Sequence, residues 1–153
     1  MQLLVRATLL VASLNLMQTV CADDRPYPCE AETAKLMKIT SSWNEIYKSA
    51  IALSTTCFDG YFAEGISDTI VRKMRKDWRG FLVVLTKHGN ESKFMKLVSD
   101  SINATLDPND IRAIGYLAET SCLPEIRNQC RTISNQASTA LSEYDPPEPR
   151  WAQ

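Results

Sequence analysis

Between Gly60 and Lys87 the apolar residues Ile66, Ile70, Met74, Trp78, Phe81, Val84 and Leu85 recur at helical spacing. Projected at about 100° per residue they fall in one stripe about 120° wide, which predicts a helix with one face set into a core. The opposite face carries Glu64, Asp68, Arg72, Arg75 and Arg79. Asp77 falls inside the stripe. A carboxylate there is best used as the cap of a fresh turn, so a kink or break is expected at that position. At the far end, His88-Gly89-Asn90 closes the helix with a glycine suited to a left-handed cap.

The rest of the chain supplies partners with the same period. Ser42-Trp43-Asn44-Glu45 has the form of a capping box and starts a helix through Ile46, Ala50, Leu53 and Cys57. Ahead of it, Glu30 to Ile39 reads as another helical stretch. Ser92 opens a helix with Phe94, Leu97, Val98 and Ile102 facing in. Asp107-Pro108-Asn109-Asp110 opens the next, a capping acid before a first-turn proline, with Ile111, Ile114, Leu117 and Ala118 inward. Pro124 begins the last, whose inner stripe is Ile126, Cys130, Ile133, Ala137 and Leu141. No strand pattern is of comparable strength. The expected fold is therefore all-α: a small single-domain bundle of about five helices.

Residues 1–22 read as a secretory signal, with Arg6 near the start, an apolar run from Ala7 to Val20 and a small-residue cleavage site ending at Ala22. Ser13, Asn15 and Gln18 interrupt the run too often for a membrane span of about 20 apolar residues, and no later segment approaches that length, so no membrane contact is expected once the signal is removed. Gln18 and Val20 do not suit a lipoprotein site at Cys21, which leaves with the signal. Residues 23–144 are then the helical domain, and residues 145–153, with Pro146, Pro147 and Pro149, an extended mobile tail. Cys29, Cys57, Cys122 and Cys130 remain; in an exported chain an even count reads as two disulfides. Three pairings are open to the sequence, and the expectation is Cys29 with Cys57 and Cys122 with Cys130. The first requires the chain to turn back near Thr40-Ser41, because a continuous helix would hold those cysteines roughly 40 Å apart. A zinc site is disfavoured by the spacings and by the single histidine.

Charge excludes some functions. Lys plus Arg number 17 against 18 Asp plus Glu, so no global field attracts nucleic acid or an anionic membrane. The densest positive run, Arg72-Lys73-Met74-Arg75-Lys76, lacks interleaved aromatics for base stacking. His88, the sole histidine, sits at a helix end, where a capping role is expected rather than a catalytic one. No metal, cofactor or catalytic residue is expected, and the chain reads as a binder. Glu64 and Asp68, four apart on one face, are candidate partner contacts, with Arg72 placed to pair with Asp68. Asn90-Glu91-Ser92 and Asn103-Ala104-Thr105 match the glycosylation sequon and are read as capping and loop residues. Gly60 and Gly65 either let another helix or a second copy of the chain approach closely, or, for Gly60, mark a helix start capped by Asp59.

The signal, the helical domain, the cysteine-anchored start Cys57-Phe58-Asp59-Gly60, the following steps Ala63-Glu64-Gly65 and Ser67-Asp68, and the pair Cys122 and Cys130 together resemble a known layout. It is that of the periplasmic all-helical immunity proteins of type VI secretion cell-wall amidase systems. The likeness covers roughly Trp43 to Leu141 and rests on layout, with no short signature to transfer residue by residue. Members of that family are dimeric and insert a loop into the toxin's catalytic groove. The resemblance implies a periplasmic protein that blocks a secreted peptidoglycan-degrading effector, with a homodimer as its form. Contacts are therefore assigned by exposure and charge. Of two loops able to protrude, Lys87 to Glu91 and Thr105 to Asp110, the second is favoured, with Asp107, Asn109 and Asp110 as acceptors. An exported carrier of a small apolar ligand and a secreted helical signalling protein are the alternatives.

Overall fold

The chain folds as seven α-helices joined by short turns in a computed structural model that describes residues 28–144. The signal-peptide, Cys21 and Pro-rich tail expectations lie outside the described residues. The helices are α1 (Pro28–Thr33), α2 (Trp43–Ala52), α3 (Gly60–Lys76), α4 (Trp78–His88), α5 (Ser92–Asp100), α6 (Pro108–Thr120) and α7 (Arg127–Tyr144), with 3₁₀ turns at Thr55–Cys57 and Pro124–Ile126. No strand occurs among the described residues, and none of their helices is long and apolar enough to cross a membrane.

Seven helices replace the expected five or so because the longest stretch divides in two and the short N-terminal stretch stands as a helix of its own. The long helix breaks at Asp77, which closes α3 by donating its amide to Lys73 O at 2.8 Å and opens α4 by accepting from Gly80 N at 3.0 Å. At the N-terminal end, α1 stops at Thr33 rather than running to Ile39: the Thr33 hydroxyl bonds back to Cys29 O at 2.7 Å, and the Ser41 hydroxyl ties the turn to Lys35 O at 2.8 Å. Likewise α2 ends at Ala52, and Cys57 sits in the 3₁₀ turn instead of the helix. Gly89 is right-handed, with φ −66°, not left-handed; its amide still reaches Leu85 O at 2.7 Å, so the helix end needs no reversal.

Most caps are those the sequence announces. Ser42 and Glu45 form the reciprocal capping box on α2, and the Ser42 amide and hydroxyl hold the Glu45 carboxyl below its usual pKa. Asp107 caps α6 by accepting from Asn109 N at 2.8 Å, ahead of Pro108. Asp59 caps α3 at Gly60, whose φ of +48° is the left-handed conformation a side chain rarely adopts. Asp77→Ala, which removes the cap at the α3–α4 break, is expected to lower stability by about 1 kcal/mol in urea unfolding, with no loss of helix content.

One contiguous core runs through the bundle. The whole stripe of Ile66, Ile70, Met74, Trp78, Phe81, Val84 and Leu85 is buried. At the α3–α4 break Phe81 lies between Trp43 and Trp78, at centroid distances of 5.0 and 5.3 Å. Both indoles end on carbonyls, Trp43 on Asp77 O at 3.3 Å and Trp78 on Ser121 O at 3.1 Å, so the polar atoms of this cluster are satisfied. The helix pair α6 and α7 packs along its length, α3 lies against α6, and α5 packs on α2 and α7.

Both expected disulfides are present, Cys29–Cys57 and Cys122–Cys130. The chain turns back between α1 and α2 as the first requires. This return brings Met37 over α3 at Gly65, where a Cβ would lie 2.5 Å from the Met37 methyl carbon. The close approach at Gly65 is thus made by the same chain.

Candidate functional site

Three of the six residues singled out by charge converge. Glu64 and Asp68 project from the exposed face of α3, and Asp107 stands at the N-terminus of α6; with Thr105 and Leu106 they line one cleft of about 350 Å³. The loop carrying Asp107 is held by its own side chains. Asn103 Oδ1 accepts from Thr105 N at 3.1 Å and from the Thr105 hydroxyl at 2.6 Å, while its amide donates to Asp100 O at 3.1 Å. Leu106 is buried, and the Tyr144 hydroxyl donates to its carbonyl. These contacts fix the loop from both sides.

Asp110 is placed differently from its expected role. It is only 8% exposed and pairs with Arg75 of α3, so it faces inward and is not presented to a partner. The reason is helical geometry: three residues past the cap, its side chain points back across the first turn of α6 toward α3. In that position it does something else. The Arg75–Asp110 pair is one of the contacts that tie α6 to α3, the two helices whose packing places Asp107 beside Glu64 and Asp68. Asn109 is exposed and accepts from Arg112 at 3.1 Å, outside the residues lining the cleft. Arg72 reaches Asp68 at 3.1 Å with both side chains about half exposed, a pair worth a few tenths of a kcal/mol.

Most of the positive run is engaged within the protein, while Lys76 and Arg79 are exposed. Arg72 and Arg75 are committed to carboxylates, and Met74 is fully buried. Lys73 lies over the Trp43 ring at 5.5 Å and donates to Ile39 O at 3.4 Å. His88, in the last turn of α4, stacks on Tyr47 with centroids 3.7 Å apart and planes 15° from parallel, and Tyr47 in turn meets Phe94 edge-on. Its ring is used in packing between α2 and α4. Asn90 and Asn103 both serve as loop residues, Asn90 accepting from Gln129 at 3.3 Å.

Arg75, Thr105 and Leu106 were not singled out as site residues from sequence, although the last two lie in the loop favoured there. Arg75 belongs to a face that reads as solvated, and its partner lies 35 positions away. Thr105 had a signal, since Asn103-Ala104-Thr105 is a local side-chain-to-backbone turn as well as a sequon. Among the described residues no group of three or more His, Cys, Asp or Glu side chains is arranged to hold a metal ion. No family model matches the chain, and neither a curated protein nor a solved structure is detectably similar to it.

Proposed function

We propose that this protein is a periplasmic binder that occludes the active site of a secreted cell-wall-degrading enzyme, with the cleft of Glu64, Asp68 and Asp107 as its contact surface. The observation that carries the reading is the convergence of these carboxylates from α3 and the α6 loop. Glu64 and Asp107 beside the Asp68–Arg72 pair leave the cleft net negative, which favours a cationic partner surface. The loop is already ordered by Asn103, Thr105 and Leu106, so docking costs little further conformational entropy. Both disulfides suit an oxidising compartment such as the periplasm.

The test is binding of the chain from Asp23 onward to a set of purified type VI secretion cell-wall amidases. Asp107→Arg is expected to weaken binding at least about tenfold. Because Asp107 also caps α6, the control is Asp107→Asn with Glu64→Gln, which removes two charges and keeps a competent cap. That variant is expected to unfold at the wild-type urea concentration and still bind more weakly. Unchanged affinity in both variants would remove the cleft from the reading.

A further inference from the structure

A second concavity lies between α2 and α5, away from the residues of the acidic cleft. Its volume is about 280 Å³, and Ala50, Leu53, Phe58 and Leu97 give it an apolar lining. Three of these, Ala50, Leu53 and Leu97, are core residues no more than 5% exposed, so the floor is the edge of the hydrophobic core itself. Ser54 and Thr55 form one wall, and Lys93, Lys96 and Asp100 stand along α5.

The charges around this cleft are unequal. Lys96 pairs with Asp100 at 2.7 Å. Lys93 donates to Ile51 O at 2.8 Å, at the C-terminal end of α2, and has no carboxylate within ion-pairing distance among the described residues. Two ammonium groups against one carboxylate leave the α5 side of the rim net positive beside an apolar floor, while on the Ser54 side the Glu32 carboxylate is engaged in accepting from Ser54 N at 2.9 Å. The wall residues Ser54 and Thr55 lead directly into Cys57, and the Cys29–Cys57 bridge anchors that turn to α1, so the cleft is preformed. Its size sits at the lower edge of the range for ligand pockets, which admits a medium-length chain or single ring and excludes a whole lipid.

We infer that this cleft binds a small amphipathic carboxylate, its apolar body on Leu53, Phe58 and Leu97 and its anionic head on Lys93 and Lys96. The inference goes beyond the proposed inhibitory function and is independent of it, since none of these residues belongs to the acidic cleft. Burying the ligand's apolar part supplies the affinity, at about 25 cal/mol per Å² of apolar surface, and the lysines select the sign of the head group.

The experiment is amide-detected NMR titration of the oxidised chain with octanoate, 1-octanol and octyltrimethylammonium. Octanoate is expected to give saturable shifts at Leu53, Ser54, Lys93 and Leu97 and to bind more tightly than the other two. Lys93→Glu with Lys96→Glu is expected to weaken octanoate at least about tenfold while leaving 1-octanol within about twofold. Both lysines are exposed, and because the change also removes the Lys93–Ile51 and Lys96–Asp100 contacts, urea unfolding of the variant and a second variant, Lys93→Gln with Lys96→Gln, separate lost binding from lost fold. Ser54→Trp, which fills the wall, is expected to abolish shifts from all three ligands. Non-saturating shifts, shifts mapping elsewhere, equal binding of octyltrimethylammonium, or undiminished octanoate binding by the lysine variant would each overturn the inference.

Discussion

Phe81→Ala is expected to destabilise the protein by about 3–5 kcal/mol, the largest effect of any single substitution considered. The ring is fully buried at the point where α3 gives way to α4, between two indoles that come from α2 and from the start of α4 itself. Truncation removes the transfer free energy of the ring, leaves a cavity and forfeits two aromatic contacts. The cavity cannot close easily, because each indole is held to a carbonyl, Trp43 to Asp77 and Trp78 to Ser121. Against a total stability of about 5–15 kcal/mol this is a large fraction, and the melting temperature should fall by on the order of 10 °C or more. Val83→Ala on the same helix, half exposed, is the control and should stay within about 0.5 kcal/mol. Comparable losses for the two would mean that the aromatic cluster does not organise the break.

The second large effect concerns the bridges, and the two are expected to differ. Cys29–Cys57 closes a loop of 28 residues and Cys122–Cys130 one of 8. The chain-entropy relation gives about 3.5 kcal/mol for the first and about 2.5 kcal/mol for the second. Position reinforces it. The six-residue α1 is far too short to persist alone, and the first bridge anchors it to the turn before α3. Replacing Cys29 and Cys57 by alanine should therefore also raise amide exchange from residue 29 to about residue 41, while the Cys122 and Cys130 pair of substitutions leaves that segment protected. Urea unfolding and native-state exchange measure both. If the second pair proves more damaging, α1 is held chiefly by the burial of Leu36 and Thr33.

How far the fold was legible follows from the range of the interactions. The capping box at Ser42, the Asp-Pro start at Asp107 and the buried stripe from Ile66 to Leu85 are local signals and appear in the structure as the sequence suggests. Asp77 is also local, and its place inside the stripe pointed to the break. The extent of α1 was not legible: Glu30 to Ile39 has helical spacing, but Leu36 and the Cys29 bridge draw the chain into a return that propensity does not encode. Gly89 had the composition of a left-handed cap, yet the neighbouring helix α7 contributes Gln129 to the Gly89 carbonyl and the turn stays right-handed.

The candidate site divides along the same line. Glu64, Asp68 and Asp107 were found by charge and loop position, and their convergence follows from the packing of α3 on α6, to which the Arg75–Asp110 pair contributes. A pair so distant in sequence leaves no local trace, which is why Asp110 read as a loop acceptor rather than as a buried partner of Arg75. His88 is similar. Its stacking on Tyr47 joins residues of two helices, and nothing near it in sequence announces that contact.

The chain is proposed to bind and block a secreted cell-wall-degrading enzyme. The most direct measurement is release of soluble fragments from purified peptidoglycan by a type VI secretion amidase, with and without the oxidised chain from Asp23 onward. Inhibition saturating near equimolar protein is predicted for at least one amidase, relieved by Asp107→Asn with Glu64→Gln, and no fragments should appear with the chain alone. Undiminished hydrolysis across the whole set of amidases, or fragments released by the chain itself, would contradict it.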